Sequence, residues 1–158
     1  MYFKNILVPY DESDHAKSAL HIALGLAGPY ETATVHVVTV IPSASLPNPT
    51  LLGDIGLDTP YAMGDPTTYE RIMESTVQRA VSDVQSAVDE SRDDARCKIV
   101  ADAVISNSPL EGIVDYVTSR DIDLVVMGRR GLGALRGMLG SVSFGVLRSV
   151  DVPVLTVK

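Results

Sequence analysis

Hydrophobic positions change their spacing several times along the chain, and each change marks an element. Lys4 to Tyr10 (KNILVPY) is almost continuously apolar and ends in Pro9-Tyr10-Asp11, which predicts a short buried strand stopping in a turn. From Ser13 the spacing becomes three and four. Ala16, Ala19, Leu20, Ala23, Leu24 and Ala27 form one stripe, predicting a helix that Gly28-Pro29 ends. Ala33 to Ile41 (ATVHVVTVI) is β-branched and uninterrupted, a second buried strand. Asp65-Pro66 then sets an N-cap acceptor before proline at the first helical position. The stripe Tyr69, Ile72, Met73, Val77, Ala80, Val81, Val84, Ala87 and Val88 carries that helix to about Arg92. Lys98 to Ile105 is a third strand. Ser108-Pro109 opens a helix with Leu110, Ile113, Val114 and Val117 inward. Ile122 to Met127 is a fourth strand, Ser141 to Val150 a helix, and Val152 to Val157 a fifth strand.

Strand and helix therefore alternate, and the strands are too apolar to face water. That pattern calls for the α/β class: a mostly parallel sheet with helices on both faces. Right-handed crossovers give a five-stranded sheet of order 3-2-1-4-5. With 158 residues, no internal repeat and no composition break, the chain reads as one domain spanning 1–158. Residues 41–64 stand apart, with four prolines, three glycines and no helical period. So long a connection reads as a flexible loop, either a lid or interaction surface or a tolerated insertion.

Composition narrows the function. The net charge of −7 argues against nucleic-acid binding through a basic surface. Fourteen of the 20 acids are Asp, and Arg outnumbers Lys nine to four, a balance that suits a salty cytoplasm and an ordinary one equally. No apolar run reaches the roughly 20 residues of a membrane span, and the N-terminal stretch lacks a secretory signal pattern; the expected location is cytoplasmic. Cys97 is the single cysteine, so neither a disulfide framework nor a cysteine zinc site is available. It reads as a structural or surface thiol.

In sheets of this order, ligands bind beyond the carboxyl ends of the strands where the order reverses, here between strands one and four. The stretch that follows strand four is GRRGLGALRGMLGSVS, residues Gly128 to Ser143, with five glycines and three arginines. Glycines let backbone amides approach an anion. Gly140-Ser141 opens a helix whose first amides lack intrahelical acceptors. Ser141 and Ser143 offer hydroxyls, and Arg129 and Arg130 charge-assisted donors. Together these parts predict a phosphate cradle.

Other nucleotide motifs do not fit. No Gly-Lys-Ser/Thr closes the loop, so it is not a P-loop. Gly131-Leu132-Gly133 is followed by three residues before Gly137, one more than the dinucleotide fingerprint has. His15 and His21 are six apart, unsuited to one metal face. His36 lies in a strand and reads as a packed core residue, and no Gly-x-Ser-x-Gly elbow is present.

With VPYDES, HVV, VVMGRRG, LGSVS and VPVLTV on the page, the sequence resembles the universal stress protein family over essentially its whole length. The resemblance implies an adenine nucleotide alpha hydrolase-like fold. The family's nucleotide-binding branch carries Gly-x-x-Gly, nine residues, then Gly-Ser/Thr. Gly128 and Gly131 match, as do Gly140 and Ser141, across an interval of eight residues rather than nine. The resemblance implies ATP as ligand, with adenine against Val37 and the Pro9-Tyr10-Asp11 turn, and ribose near Met127 and Gly128. It places phosphates on Arg130, Gly131, Gly140, Ser141, Val142 and Ser143. Tyr10 would stack on the base or crowd it. Asp11 is the nearest contact for a Mg²⁺ ion, or else an N-cap for the first helix.

The function implied is that of an ATP-binding stress-response regulator acting through nucleotide-dependent oligomerisation or a client protein. A slow ATPase and a scaffold without nucleotide are the alternatives. The resemblance also implies a homodimer, for which the edge strand 152–157 is the expected pairing surface; charge and hydropathy leave no nucleic acid and no membrane insertion among the expected partners.

Overall fold

In the computed structural model, residues 3–46, 66–92, 95–132 and 139–158 are described. The buried run Asn5–Pro9 forms β1, at the centre of a five-stranded parallel sheet of order β3-β2-β1-β4-β5. The other strands are β2 (Thr34–Pro42), β3 (Lys98–Ser106), β4 (Leu124–Gly128) and β5 (Val154–Val157). All five residues of β4 are buried, as a strand covered on both faces must be. The outer strands β3 and β5 are instead half-exposed along much of their length.

Helices α1 (Asp14–Ala27) and α2 (Pro66–Ser91) cover one face, and α3 (Pro109–Ser119) and α4 (Ser141–Ser149) cover the other. Every apolar position of the α1 stripe is buried. Ser13 caps this helix, its Oγ accepting from the Ala16 amide at 3.2 Å. Ser108 caps α3 in the same way, accepting from the Glu111 amide at 3.2 Å, with Pro109 in the first turn. Each cap satisfies a donor that the helix leaves without an acceptor. Asp65, the expected cap of α2, and most of the 41–64 segment lie outside the described residues; within that segment Ser43–Ser45 form one 3₁₀ turn.

Strand boundaries differ from the sequence expectation for local reasons. β5 begins at Val154 rather than Val152 because Pro153 has no N–H; its carbonyl accepts from Val125 at 3.0 Å and leads into the ladder. Ile122 belongs to the exit from α3, its amide bonding the Val117 carbonyl at 3.1 Å. Among the described residues no helix is long and apolar enough to cross a membrane.

Candidate functional site

β1 and β4 are sheet neighbours, yet the chain leaves β1 toward α1 on one face and β4 toward α4 on the other. The divergence opens a crevice at the carboxyl ends of these strands. It holds a cavity of about 590 Å³, within the range of roughly 300–1,000 Å³ typical of small-molecule sites.

Eleven of the twelve expected site residues line this cavity: Pro9, Tyr10, Asp11, Met127, Gly128, Arg130, Gly131, Gly140, Ser141, Val142 and Ser143. Val37 does not. Its side chain is fully buried in the cluster beneath α1 and α2, while Val38 and Val40 face the cavity with Ile113 and Pro109. The correction follows from the pleat: Pro9 is in register with Val38, and successive strand residues point to opposite faces. Val38, Val40, Ile113 and Pro109 thus form an apolar floor together with Met127, and of these the sequence places Met127 alone at the site.

At the other end stands the N-terminus of α4. The Gly140 amide is already engaged, donating to the Arg129 carbonyl at 2.9 Å, while the Arg129 amide donates to Val157 at 2.7 Å. The loop is thereby stitched to the sheet on one side of the cavity. The first intrahelical bond runs from Phe144 to the Gly140 carbonyl at 2.9 Å. Among the described residues no side chain caps this helix, which leaves the amides of Ser141, Val142 and Ser143 to an external acceptor.

Ser143 plays a different part from the one expected. It is 3% exposed, and its hydroxyl donates to the Gly128 carbonyl at 2.9 Å. The hydroxyl proton is therefore spent on tying α4 to the end of β4; what Ser143 turns outward is its main-chain amide.

The opposite rim is the β1–α1 turn. Asp11 is not the cap of α1. Its Oδ1 accepts from the Ser13 amide at 3.2 Å and from the Ser13 hydroxyl, so it braces the residue that is the cap. Its Oδ2 comes into close contact with the position a Cβ on Gly131 would take, so a side chain there would have to displace the Asp11 carboxylate. Glu12 holds a left-handed φ of 63°, uncommon for a residue with a side chain.

Tyr10 neither stacks in the cavity nor crowds it. The ring is packed into the cluster under α1 and α2 with 5% exposure. Burial, then the charge of Glu12, pushes its hydroxyl above the ordinary range. Its backbone is pinned: the amide donates to Val38 at 2.9 Å, and the carbonyl accepts from Thr39 Oγ1 at 2.8 Å.

The remaining titratable candidates lie elsewhere. Cys97 is buried in the core, where the surroundings raise its thiol pKa, and it is structural. His36 sits half-buried on the α3 face, its Nδ1 3.2 Å from the Tyr116 hydroxyl. Among the described residues no group of three His, Cys, Asp or Glu side chains is placed to hold a metal.

The α/β domain thus sets an apolar floor and an uncapped helix start at its strand reversal, the place where open α/β sheets take their ligands. Comparison with known proteins gives the family. The model of the universal stress protein family matches residues 2–158, and the chain belongs to that family. A universal stress protein of Thermus aquaticus is 31% identical over 160 residues, covering 99% of both chains. Among solved structures, a universal stress protein in complex with cAMP superposes with a TM-score of 0.65 at 20% identity, over 99% of this chain and 98% of that one. The Archaeoglobus fulgidus universal stress protein in complex with dAMP gives 0.54 at 21% identity, over 100% of both.

Proposed function

We propose that this chain is an adenine-nucleotide-binding regulatory protein. The base rests on the apolar floor of Val38, Val40, Ile113 and Met127, and the phosphates meet the start of α4. The observation that carries this reading is the set of uncapped amides at Ser141, Val142 and Ser143, in one cavity with Arg130. Phosphate oxygens are the acceptors such a helix start favours. Relatives of the same fold hold cAMP and dAMP, which supports an adenine nucleotide as the ligand class.

ATP is the form we assign. Mg²⁺ bound with it would take most of its ligands from phosphate oxygens and water, as is usual for this ion, with Asp11 the nearest carboxylate. Hydrolysis requires a positioned water and a group to orient it. Asp11 has one carboxylate oxygen committed to Ser13, so binding with slow or absent turnover is the function proposed, the nucleotide state governing association with a second copy or a client. The surface for the second copy is the β5 edge, where Leu155 is 40% exposed and Phe144 and Leu147 of α4 are exposed as well. Edge pairing would remove its unpaired backbone groups from solvent.

The test is nucleotide content and binding. Mass analysis of small molecules released from freshly purified protein should find an adenine nucleotide, and millimolar ATP should raise the melting temperature. Gly140→Val should abolish that shift while the protein stays folded. Gly140 has φ −64°, and a Cβ there would meet its nearest atoms at 3.4 Å, so the backbone accepts a side chain while the cradle loses room. No co-purifying nucleotide together with no thermal shift would establish the scaffold reading instead. Unchanged ATP affinity in the folded valine variant would overturn the phosphate placement.

A further inference from the structure

β3 is an outer strand nine residues long. In a parallel ladder, alternate residues turn both N–H and C=O toward one neighbour. Lys98 stands opposite Thr34, and its amide donates to the Ala33 carbonyl at 2.9 Å. Even-numbered residues therefore face β2, and Ile99, Ala101, Ala103 and Ile105 turn their backbone groups outward. Among the described residues no strand pairs with this row, and an open row of this length is a template for another strand.

One of those outward amides is occupied. Ala103 N–H donates to Oδ1 of Asp102, its own neighbour, at 2.8 Å. The second carboxylate oxygen is held from behind by α3: Oδ2 accepts from the Tyr116 hydroxyl at 3.2 Å and lies 3.9 Å from the Arg120 guanidinium. The Tyr116 oxygen in turn faces His36 Nδ1 at 3.2 Å. Three elements thus fix one carboxylate against the free edge.

The position of Asp102 within the strand gives this arrangement a consequence. If β3 paired antiparallel with a second copy of itself over its full length, outward residues would have to meet outward residues. Ile99 would face Ile105, Ala101 would face Ala103, and Asp102 would face Asp102 on the two-fold axis. Like charges directly opposite disfavour a pair, and the Ala103 amide that the pairing needs is already bonded. Without the carboxylate, the sequence KIVADAVIS offers mainly small and β-branched residues, which suit a strand pair.

We propose that Asp102 guards the β3 edge against pairing with a second copy of this chain, and that loss of its carboxylate turns the edge into a self-association surface. The experiment is sedimentation velocity over a concentration series on the wild type, Asp102→Ala, Asp102→Asn, and Asp102→Ala combined with Ile105→Pro. The proline removes an outward N–H from an edge strand, where it is tolerated. Asp102→Ala should raise the weight-average mass with concentration, about twofold if the wild type is a monomer and beyond twofold if it is already paired through β5, since each such pair carries two β3 edges. The added proline should restore wild-type sedimentation. Asp102→Asn keeps an acceptor for Ala103 but lacks the charge, so it should fall between the two, and it decides the matter if the alanine variant does not fold. In the wild type, hydrogen exchange at Ala103 should be slower than at Ile99 and Ala101. Wild-type mass in both folded Asp102 variants overturns the proposal, as does association that survives the proline.

Discussion

The close approach of α1 to the end of β4 can be tested by one substitution made at two glycines. A Cβ built on Gly128 would lie 2.7 Å from His15 Cβ, 2.9 Å from the His15 carbonyl carbon and 3.1 Å from the Ala16 amide nitrogen. Two of these are backbone atoms of the first turn of α1, held there by the Ser13 cap and the Asp11 brace. No flexible side-chain tip is available to give way, so Gly128→Ala must push α1 away from β4. Overpacking of this kind costs roughly 1–3 kcal/mol. In a domain of this size each kcal/mol moves the melting temperature by about 2–4 °C, so the variant should melt about 2–12 °C lower. Gly25 is the control. It lies on the exposed side of α1 with nothing within 4 Å of an added Cβ. There the better helix propensity of alanine should raise stability by about 1 kcal/mol. Thermal denaturation followed by far-ultraviolet circular dichroism reads both. The same methyl group is expected to act with opposite sign at the two places; a Gly128→Ala protein as stable as the wild type would refute the packing argument.

Two further outcomes follow from particular contacts. Ser143→Ala removes the only donor that the structure gives the Gly128 carbonyl from α4; leaving that buried acceptor unsatisfied should cost about 1–3 kcal/mol, read as a lower urea midpoint with an unchanged slope, and a midpoint equal to the wild type's would show that the bond is not needed. The His36–Tyr116 pair should shape stability at both ends of the pH range. Burial, then the Arg120 charge, lowers the His36 pKa from its ordinary 6.5, so the unfolded chain takes up the proton first. Stability should be full above that value and decline as pH falls through it toward the folded pKa. Burial, then Asp102, pushes the Tyr116 hydroxyl from 10.0 up to about 12. The unfolded tyrosine ionises first, so stability should fall as pH rises from 10 through 12. His36→Gln should flatten the acid slope and Tyr116→Phe the alkaline one; unchanged slopes would exclude these groups as the source.

Spacing along the chain carried the elements and their order, because burial of a helix stripe or a strand face leaves a period that composition cannot hide. Ala16 through Ala27 could only be one face of a helix, and Leu124 to Met127, the body of the predicted fourth strand, could hardly be anything but a covered strand. The glycine-rich connection after the fourth strand was likewise visible, since the glycines and the helix start that follows are local features. What remained hidden depends on which way a residue turns once strands are in register. Val37 and Val38 are equivalent in composition, and only the pairing of Pro9 with Val38 sends one into the core and the other into the cavity. Ser143 carries the same hydroxyl whether it meets a ligand or, as here, the carbonyl of Gly128 fifteen residues earlier. Asp102 reads as one acid among many until β3 takes the edge and α3 brings Tyr116 and Arg120 behind it. Periodicity is set by neighbours a few residues away, so the chain determined its own helices, strands and loop chemistry; the partners of a polar group come from distant segments, and only their packing decided what each one does.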